Sequence, residues 1–401
     1  MDDTFRPGAR GGPGSGRRIV GIDMARCLAL LGMMATHMLD HVTEDGVTWH
    51  QQLAGGRASA LFAVLAGVSL ALMSGRAEPL RGRDRAAVSM GLGVRALVIA
   101  TIGFILGDLD SGVAVILVYY GLLFLLGLPF LGLRAGPLAV LAGGWLVVVP
   151  VLSQLLRPEL PERGFASPTW SSWTDPGQLL SELAFTGYYP VVPWLAYLLA
   201  GMAIGRVDLS RVRTAVVLLL GGVALAMAAG VISGLLVSRP DADRALRTTY
   251  DDGMTLDADE LAEALQLGGH GSTSTESWWW LAVWSPHTAT PFDLAQTIGS
   301  AMAVIGLCLL VSRPARRLVA VVFGAGAMTL TLYTSHVVML TPPVWPEDTP
   351  ALYDTQVLVI LGVGALFGLV RRRGPLEAMA AGFAEAGTWL VRRPTDRVPT
   401  P

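Results

Sequence analysis

Ten stretches of about twenty mostly apolar residues follow one another along the chain, and nothing constrains its fold more. They cover residues 19–39, 54–73, 88–107, 113–133, 136–156, 186–205, 214–237, 292–311, 318–340 and 357–370. A bilayer core about 30 Å thick is crossed by roughly 20 apolar residues in an α-helix. Lipid offers no partner to backbone N–H and C=O groups, so each crossing segment must satisfy its own. The sequence therefore predicts an all-α integral membrane protein of about ten transmembrane helices. Only 15% of its 401 residues are charged, against about a quarter in soluble domains, which excludes a soluble globule. The first stretch follows Arg17 and Arg18 as a signal peptide would. It is too long for one and runs into Thr36-His37-Met38-Leu39-Asp40, which is no small-residue cleavage site, so it is read as a retained helix.

Orientation follows from arginine. All 29 basic residues are Arg. With a cytoplasmic N-terminus, all but six (Arg57, Arg157, Arg163, Arg239, Arg244 and Arg247) fall on the inner side or its helix ends. This positive-inside bias predicts a multi-pass protein of the inner or plasma membrane with both termini cytoplasmic. The net charge of −2 carries no basic footprint for nucleic acid. Cys27 and Cys308 sit inside apolar runs and suggest neither a disulfide framework nor a zinc site.

The expected organisation has three parts. Residues 1–18 form a disordered cytoplasmic tail. Residues 19–373 form the membrane domain, with extracytoplasmic loops at about 157–185 and 238–291. Residues 374–401 form an interfacial helix and tail on the inner surface. Trp278, Trp279, Trp280 and Trp284 in the second loop read as an interfacial aromatic belt or as a sugar-stacking platform. The acidic stretch 251–265 lacks the glycine placement of a calcium loop and reads as a solvated turn or short helix. Gly201 with Gly205, and Gly364 with Gly368, have the spacing of close helix packing.

Polar residues inside lipid usually have a partner or a task. The first helix concentrates them: Asp23, Arg26, Thr36, His37 and His41. Asp23 and Arg26 are three apart on one face. His37 lies fourteen residues beyond Asp23, about 40° off the same face and about 21 Å further along. An ion pair at the inner end and an imidazole at the outer end of one stripe suit a substrate threading across the membrane. All six histidines fall in the outer half or outside, including His50, His270, His287 at the start of the eighth span and His336 at the end of the ninth. General base and metal ligand compete as roles for them. No Cys joins them and no HExxH motif is present, so no metal is expected.

The run Arg18-Ile19-Val20-Gly21-Ile22-Asp23-Met24-Ala25-Arg26-Cys27 resembles the first-helix signature of transmembrane acyltransferases. More specifically, the chain resembles the bacterial branch of the heparan-alpha-glucosaminide N-acetyltransferase family. Residues 59–67, 187–197, 201–206 and 328–333 add to the likeness in order. The resemblance implies acyl transfer across a membrane: acetyl-CoA as cytoplasmic co-substrate, an extracytoplasmic sugar as acceptor, and a histidine near the outer face as catalyst. His37 sits where related glycan O-acyltransferases carry theirs. The animal N-acetyltransferases have Asn at that position and their histidine slightly downstream, which makes His41 or His50 the alternative counterpart. Cys27 stands where a glycine is common in the family.

On that resemblance the expected catalytic residues are His37 or His41, with Asp23. The coenzyme's charged end is assigned to Arg26, Arg81, Arg83 and Arg95, since guanidinium forks suit phosphates. The acceptor side is assigned to His287, Thr290, Asp293, Tyr333, His336 and Trp280. The nucleophile attacks the thioester directly or through an acyl-histidine. Membrane lipids surround the protein, and exposed apolar helix faces leave room for a homodimer. A transporter or lipid flippase is the main rival, because spans, glycines and intramembrane charges are equally what transporters show. A metal- or pH-sensing membrane protein built on the histidines is the third reading.

Overall fold

The computed structural model describes residues 18–392 apart from 110, 162, 165–166, 251–253, 342–343, 345–351 and 371. Residues 1–17 and 393–401, parts of the two tails expected above, lie outside the described residues. The protein is built almost wholly of helices. α1 (Val20–Met38) is followed by a two-residue-per-strand hairpin, β1 (Val42–Thr43) and β2 (Gly46–Val47), then by α2 (Trp49–Ala54), α3 (Arg57–Met73) and α4 (Gly82–Gly107). Next come α5 (Leu117–Gly127), α6 (Ala135–Leu156), the short α7 (Pro176–Ser181), α8 (Val191–Gly205) and α9 (Val212–Val237). The second long loop carries α10 (Pro240–Thr248) and α11 (Ala258–Leu267). α12 (Pro291–Val311), α13 (Arg316–Val322), α14 (Thr329–Met339), α15 (Leu352–Leu369) and α16 (Pro375–Arg392) complete the chain.

Among the described residues, six helical segments are long and apolar enough to cross a membrane: Trp49–Met73, Gly82–Gly107, Ala135–Glu159, Val212–Val237, Pro291–Val311 and Leu352–Leu369. A seventh forms if Pro176–Thr186 and Val191–Gly205, bent by 46°, are one span. The sequence leads to an expectation of about ten. The other three apolar blocks are helical too, but each departs from a plain span for a physical reason. α1 holds Asp23, Arg26 and His37, which dilute its apolar character. Block 113–133 divides between α5 and a 3-10 segment, Leu128–Gly132, with Pro129 at the join. Block 318–340 breaks at Gly324–Ala327. There a Cβ on Gly326 would lie 1.7 Å from the Asp23 carbonyl oxygen, and one on Gly324 2.2 Å from that of Gly364. The small residues let this turn wedge between α1 and α15, and α13 and α14 are set apart by it.

α3 lies near the centre, with 72% of its apolar stretch enclosed, whereas α6 and α9 stand at 22% and α15 at 17%. The peripheral helices therefore present apolar side chains outward, as lipid-facing helices do. α3 and α8 touch backbone to backbone. A Cβ on Gly201 would sit 1.9 Å from the Val64 carbonyl, and one on Gly67 2.1 Å from that of Leu198. At the end of this pair Arg206 is buried, with no carboxylate paired to it among the described residues. Its guanidinium donates to the carbonyls of Leu133, Ala71, Ser74, Arg76 and Leu131 and to the Ser74 hydroxyl. The partial negative charge at the ends of α3 and the 3-10 segment after α5 thus balances it.

Loop 238–291 has a small core of its own. Leu246, Leu261, Trp280 and Val283 cluster there, and the Trp280 indole N–H donates to the Thr249 hydroxyl at 2.9 Å. With 3% of its surface exposed, Trp280 is a packing residue of this loop; Trp278 and Trp284 are the exposed tryptophans. α11 begins with a capping box, Asp257 and Glu260, which accounts for the acidic stretch as a short helix from residue 258 on.

Candidate active site

A cavity of about 1660 Å³ opens among α1, α3, α4, α5, α14 and α16. Five arginines line it: Arg26, Arg76, Arg95, Arg373 and Arg392. Arg95 stands within electrostatic reach of Arg26, Arg373 and Glu377, so three of the cations converge. Arg26 is held in place from two sides. It donates to Asp23 at 3.0 Å and to the Ser69 hydroxyl at 2.7 Å, while Asp23 also pairs with Arg18. The far end of the cavity is walled by Met33, Ile116, Tyr120 and Tyr333. The Ile116 N–H donates to the Tyr333 hydroxyl at 3.3 Å, which pins that end.

α1 and α14 run side by side in the same direction, because Gly326 abuts Asp23 and His336 meets His37. On α1 the cavity is lined by Arg26 and Met33, and His37 lies one turn beyond Met33. On α14 it is lined by Leu330 and Tyr333, and His336 lies one turn beyond Tyr333. The cavity thus stops one turn short of a pair of imidazoles, on both helices at once. From Arg26 to His37 is about 16 Å along the helix axis. The Nδ1 of His37 is 3.1 Å from Nε2 of His336, with the rings within 6° of coplanar. His336 Nδ1 is 2.9 Å from Oε1 of Gln356 on α15. His336 and Gln356 have no exposed surface at all.

Beyond the imidazole pair lies a knot of loops. His287 sits in a left-handed conformation, φ +57°, and so does Ala289 at +52°, a costly state for residues with a Cβ. Asp293 on α12 holds the turn: its buried carboxylate accepts the N–H groups of Thr288 and Ala289 at 3.2 and 3.0 Å. From the other side Gly271 N–H donates to the His287 carbonyl at 2.7 Å. The imidazole packs against Tyr188 and Tyr189, with ring centroids 4.9 and 5.7 Å away. Burial, and then the neighbouring His270, lower its pKa to about 4; His287 is neutral at neutral pH.

Residues 18–232 match the family model described as heparan-alpha-glucosaminide N-acetyltransferase, catalytic. The chain belongs to this family. A comparison with curated proteins finds no match. The matched stretch holds α1 through most of α9, and with them His37, Asp23, Arg26 and Arg95. The chain completes the imidazole pair from α14, with Gln356 of α15 beside it, beyond the match.

The fold brings together some of the residues singled out in the sequence and separates others. Arg26 and Arg95 line the cavity; Arg81 and Arg83 do not: Arg81 stands just before the first turn of α4 and Arg83 donates to the Val391 carbonyl. Asp23 lies at the opposite end of α1 from His37 and serves Arg26. His41 turns back to the Thr36 carbonyl at 2.7 Å, and His50 contacts Thr48 and the Asp40 carbonyl. Thr290 caps α12, accepting the Asp293 N–H at 3.1 Å. Asp293 acts on His287 through the backbone of the turn. Sequence reasoning missed Ser69, Gln356, Glu377 and Arg392, and did not assign the helix expected on the inner surface to the site. In the fold α16 packs along α4, where a Cβ on Gly91 would lie 2.6 Å from the Ala384 carbonyl, and forms one wall of the cavity. Among the described residues no group of three His, Cys, Asp or Glu is placed to hold a metal ion.

Proposed function

We propose that the protein transfers an acetyl or longer acyl group from cytoplasmic acyl-coenzyme A, acetyl-CoA in the first instance, to an amino or hydroxyl group of an extracytoplasmic glycan. One observation carries this reading: an arginine-lined cavity leads along α1 and α14 and ends one turn from His37 and His336. Arginine forks at its mouth suit the phosphates and carry sequence-independent attraction for them. The apolar stretch beyond them suits the coenzyme's narrow arm, which delivers the thioester to the imidazoles. His37 acts there as general base toward the acceptor or as acyl carrier. Tyr188, Tyr189 and His287 pack against one another on the other side of the imidazole pair, the side that the positive-inside pattern reads as the exterior.

The test is donor binding and transfer by the detergent-purified protein. Acetyl-CoA raises its melting temperature saturably; at about 100 times the dissociation constant the gain is about 2.7 kcal/mol. Arg26→Ala removes that shift, and His37→Ala keeps it while abolishing transfer to amine or hydroxyl acceptors. No shift at millimolar acetyl-CoA in folded protein overturns the reading. Glycan movement across vesicles without donor consumption marks a transporter instead.

A further inference from the structure

We propose that His336 and Gln356 are positioning residues that fix the tautomer of His37 and leave its Nε2 as the basic atom. This rests on the reading of His37 as the group that reacts. Three helices contribute one residue each. The amide oxygen of Gln356 can only accept, so the proton of His336 resides on Nδ1, 2.9 Å away. The Nε2 of His336 is then a lone pair, and it faces Nδ1 of His37 at 3.1 Å. His37 must therefore carry its own proton on Nδ1 and present an unprotonated Nε2. The near-coplanar rings put the donated N–H and the accepting lone pair in one plane, where such a bond is strongest.

Burial makes the arrangement decisive. His336 and Gln356 are sealed from solvent, so water does not compete for their polar atoms. The Gln356 Nε2 has no partner among the described residues; the amide gives up one bond while its carbonyl stays on His336. A carboxylate at that place would orient the imidazoles equally well, but would bring an uncompensated charge into the membrane interior. The titratable groups that face His37 are His336 from α14, His287 from the turn before α12 and His41 from the turn after α1.

In the transfer step the acceptor's N–H or O–H proton passes to Nε2 of His37. The freed electron pair forms the bond to the thioester carbonyl carbon. The carbon–sulfur bond breaks, and the departing thiolate takes that proton back from Nε2. While His37 is protonated, its Nδ1–H bond to His336 is charge-assisted and stronger, and the alignment set by Gln356 holds the ring through both proton transfers.

The experiment measures kcat, donor KM and the pH profile of kcat for Gln356→Leu, Gln356→Glu and His336→Phe, with His37→Ala beside them. Donor-induced thermal shift reports folding and donor binding independently. Loss of the outer partner of a metal-binding histidine typically costs about 10- to 100-fold, and an oriented general base is expected to lose as much. Gln356→Leu and His336→Phe are expected to lower kcat by that factor with donor KM unchanged. Gln356→Glu, which can still accept, keeps kcat close to the parent and moves the acid limb of the profile to higher pH, because a carboxylate favours protonated imidazole. The proposal is overturned if His37→Ala abolishes transfer while Gln356→Leu leaves both kcat and the pH profile unchanged. It is equally overturned if Gln356→Glu is as damaging as Gln356→Leu, since an amide that donates cannot be replaced by a carboxylate. His37→Ala with full transfer and intact donor binding removes the underlying base assignment and the relay with it.

Discussion

The Thr331 hydroxyl donates to the carboxylate of Glu377 at 2.5 Å. The same carboxylate accepts the N–H groups of Leu330 and Thr331 at 2.7 and 3.2 Å. An acidic side chain of α16 therefore caps the first turn of α14, a favourable place for negative charge. It ties the wall of the arginine-lined cavity to the helix that carries Tyr333 and His336.

Removing that cap should loosen the cavity. Glu377→Ala is expected to cost about 1–3 kcal/mol, the usual range for charge-assisted bonds. It should lower both the melting temperature and the affinity for acetyl-CoA. Glu377→Gln should fall between Ala and the parent. Thermal melts with and without acetyl-CoA measure both effects.

The arginines separate into two groups by position. Arg26→Ala and Arg95→Ala should weaken acetyl-CoA binding by about ten- to a hundredfold, the equivalent of one or two lost charge-assisted bonds. Arg81→Ala, at a residue outside the cavity lining, should leave the dissociation constant within about threefold of the parent, since screened surface charges contribute little. Titration of each variant with acetyl-CoA at fixed salt reads the difference.

Arg206 should matter for stability alone. Arg206→Gln strands several buried carbonyls at once, each costing on the order of 1–3 kcal/mol when left unpaired. The variant should melt well below the parent or fail to fold. Arg206→Lys should rescue only in part, because an ammonium has three donors and no fork. Expression yield and melting temperature in detergent distinguish the three proteins.

Acid should destabilise the fold partly through His287. Its pKa is about 4 when folded, against an ordinary 6.5. Between those values the unfolded chain takes up a proton that the folded one refuses. The contribution is therefore fully present above about pH 6.5 and is lost as pH falls toward 4, reaching up to about 3 kcal/mol. His287→Phe should flatten the fall in melting temperature between pH 7 and 5. A slope identical to the parent's would show that another group carries it.

The sequence made the helical class readable because ten apolar blocks cannot be packed any other way in lipid. It also exposed the stripe on α1, since Asp23, Arg26 and His37 stand out against apolar neighbours. His336 was visible as one of few histidines, but its pairing with His37 was not, because 299 residues separate them and no local period links α1 to α14. Gln356 carried no signal: a neutral amide just before an apolar run, next to Asp354 and Thr355, looks like part of a polar helix end until its neighbour is known. The break at Gly324–Ala327 was hidden for the opposite reason. Small residues preserve an apolar pattern while permitting backbone contact, so block 318–340 reads as one uninterrupted helix. Arg206 read as a topology marker, and its fan of carbonyl bonds depends on helix ends brought together by the fold.

The distance along the chain between His37 and His336 also orders events during synthesis. The first helix leaves the ribosome well before α14 and α15, and only these bring His336 and Gln356 to His37. A nascent chain that has not reached α14 holds the matched stretch without His336 and Gln356 beside His37. With His37 acting as proposed, activity becomes a report that α14 and α15 have been inserted beside α1.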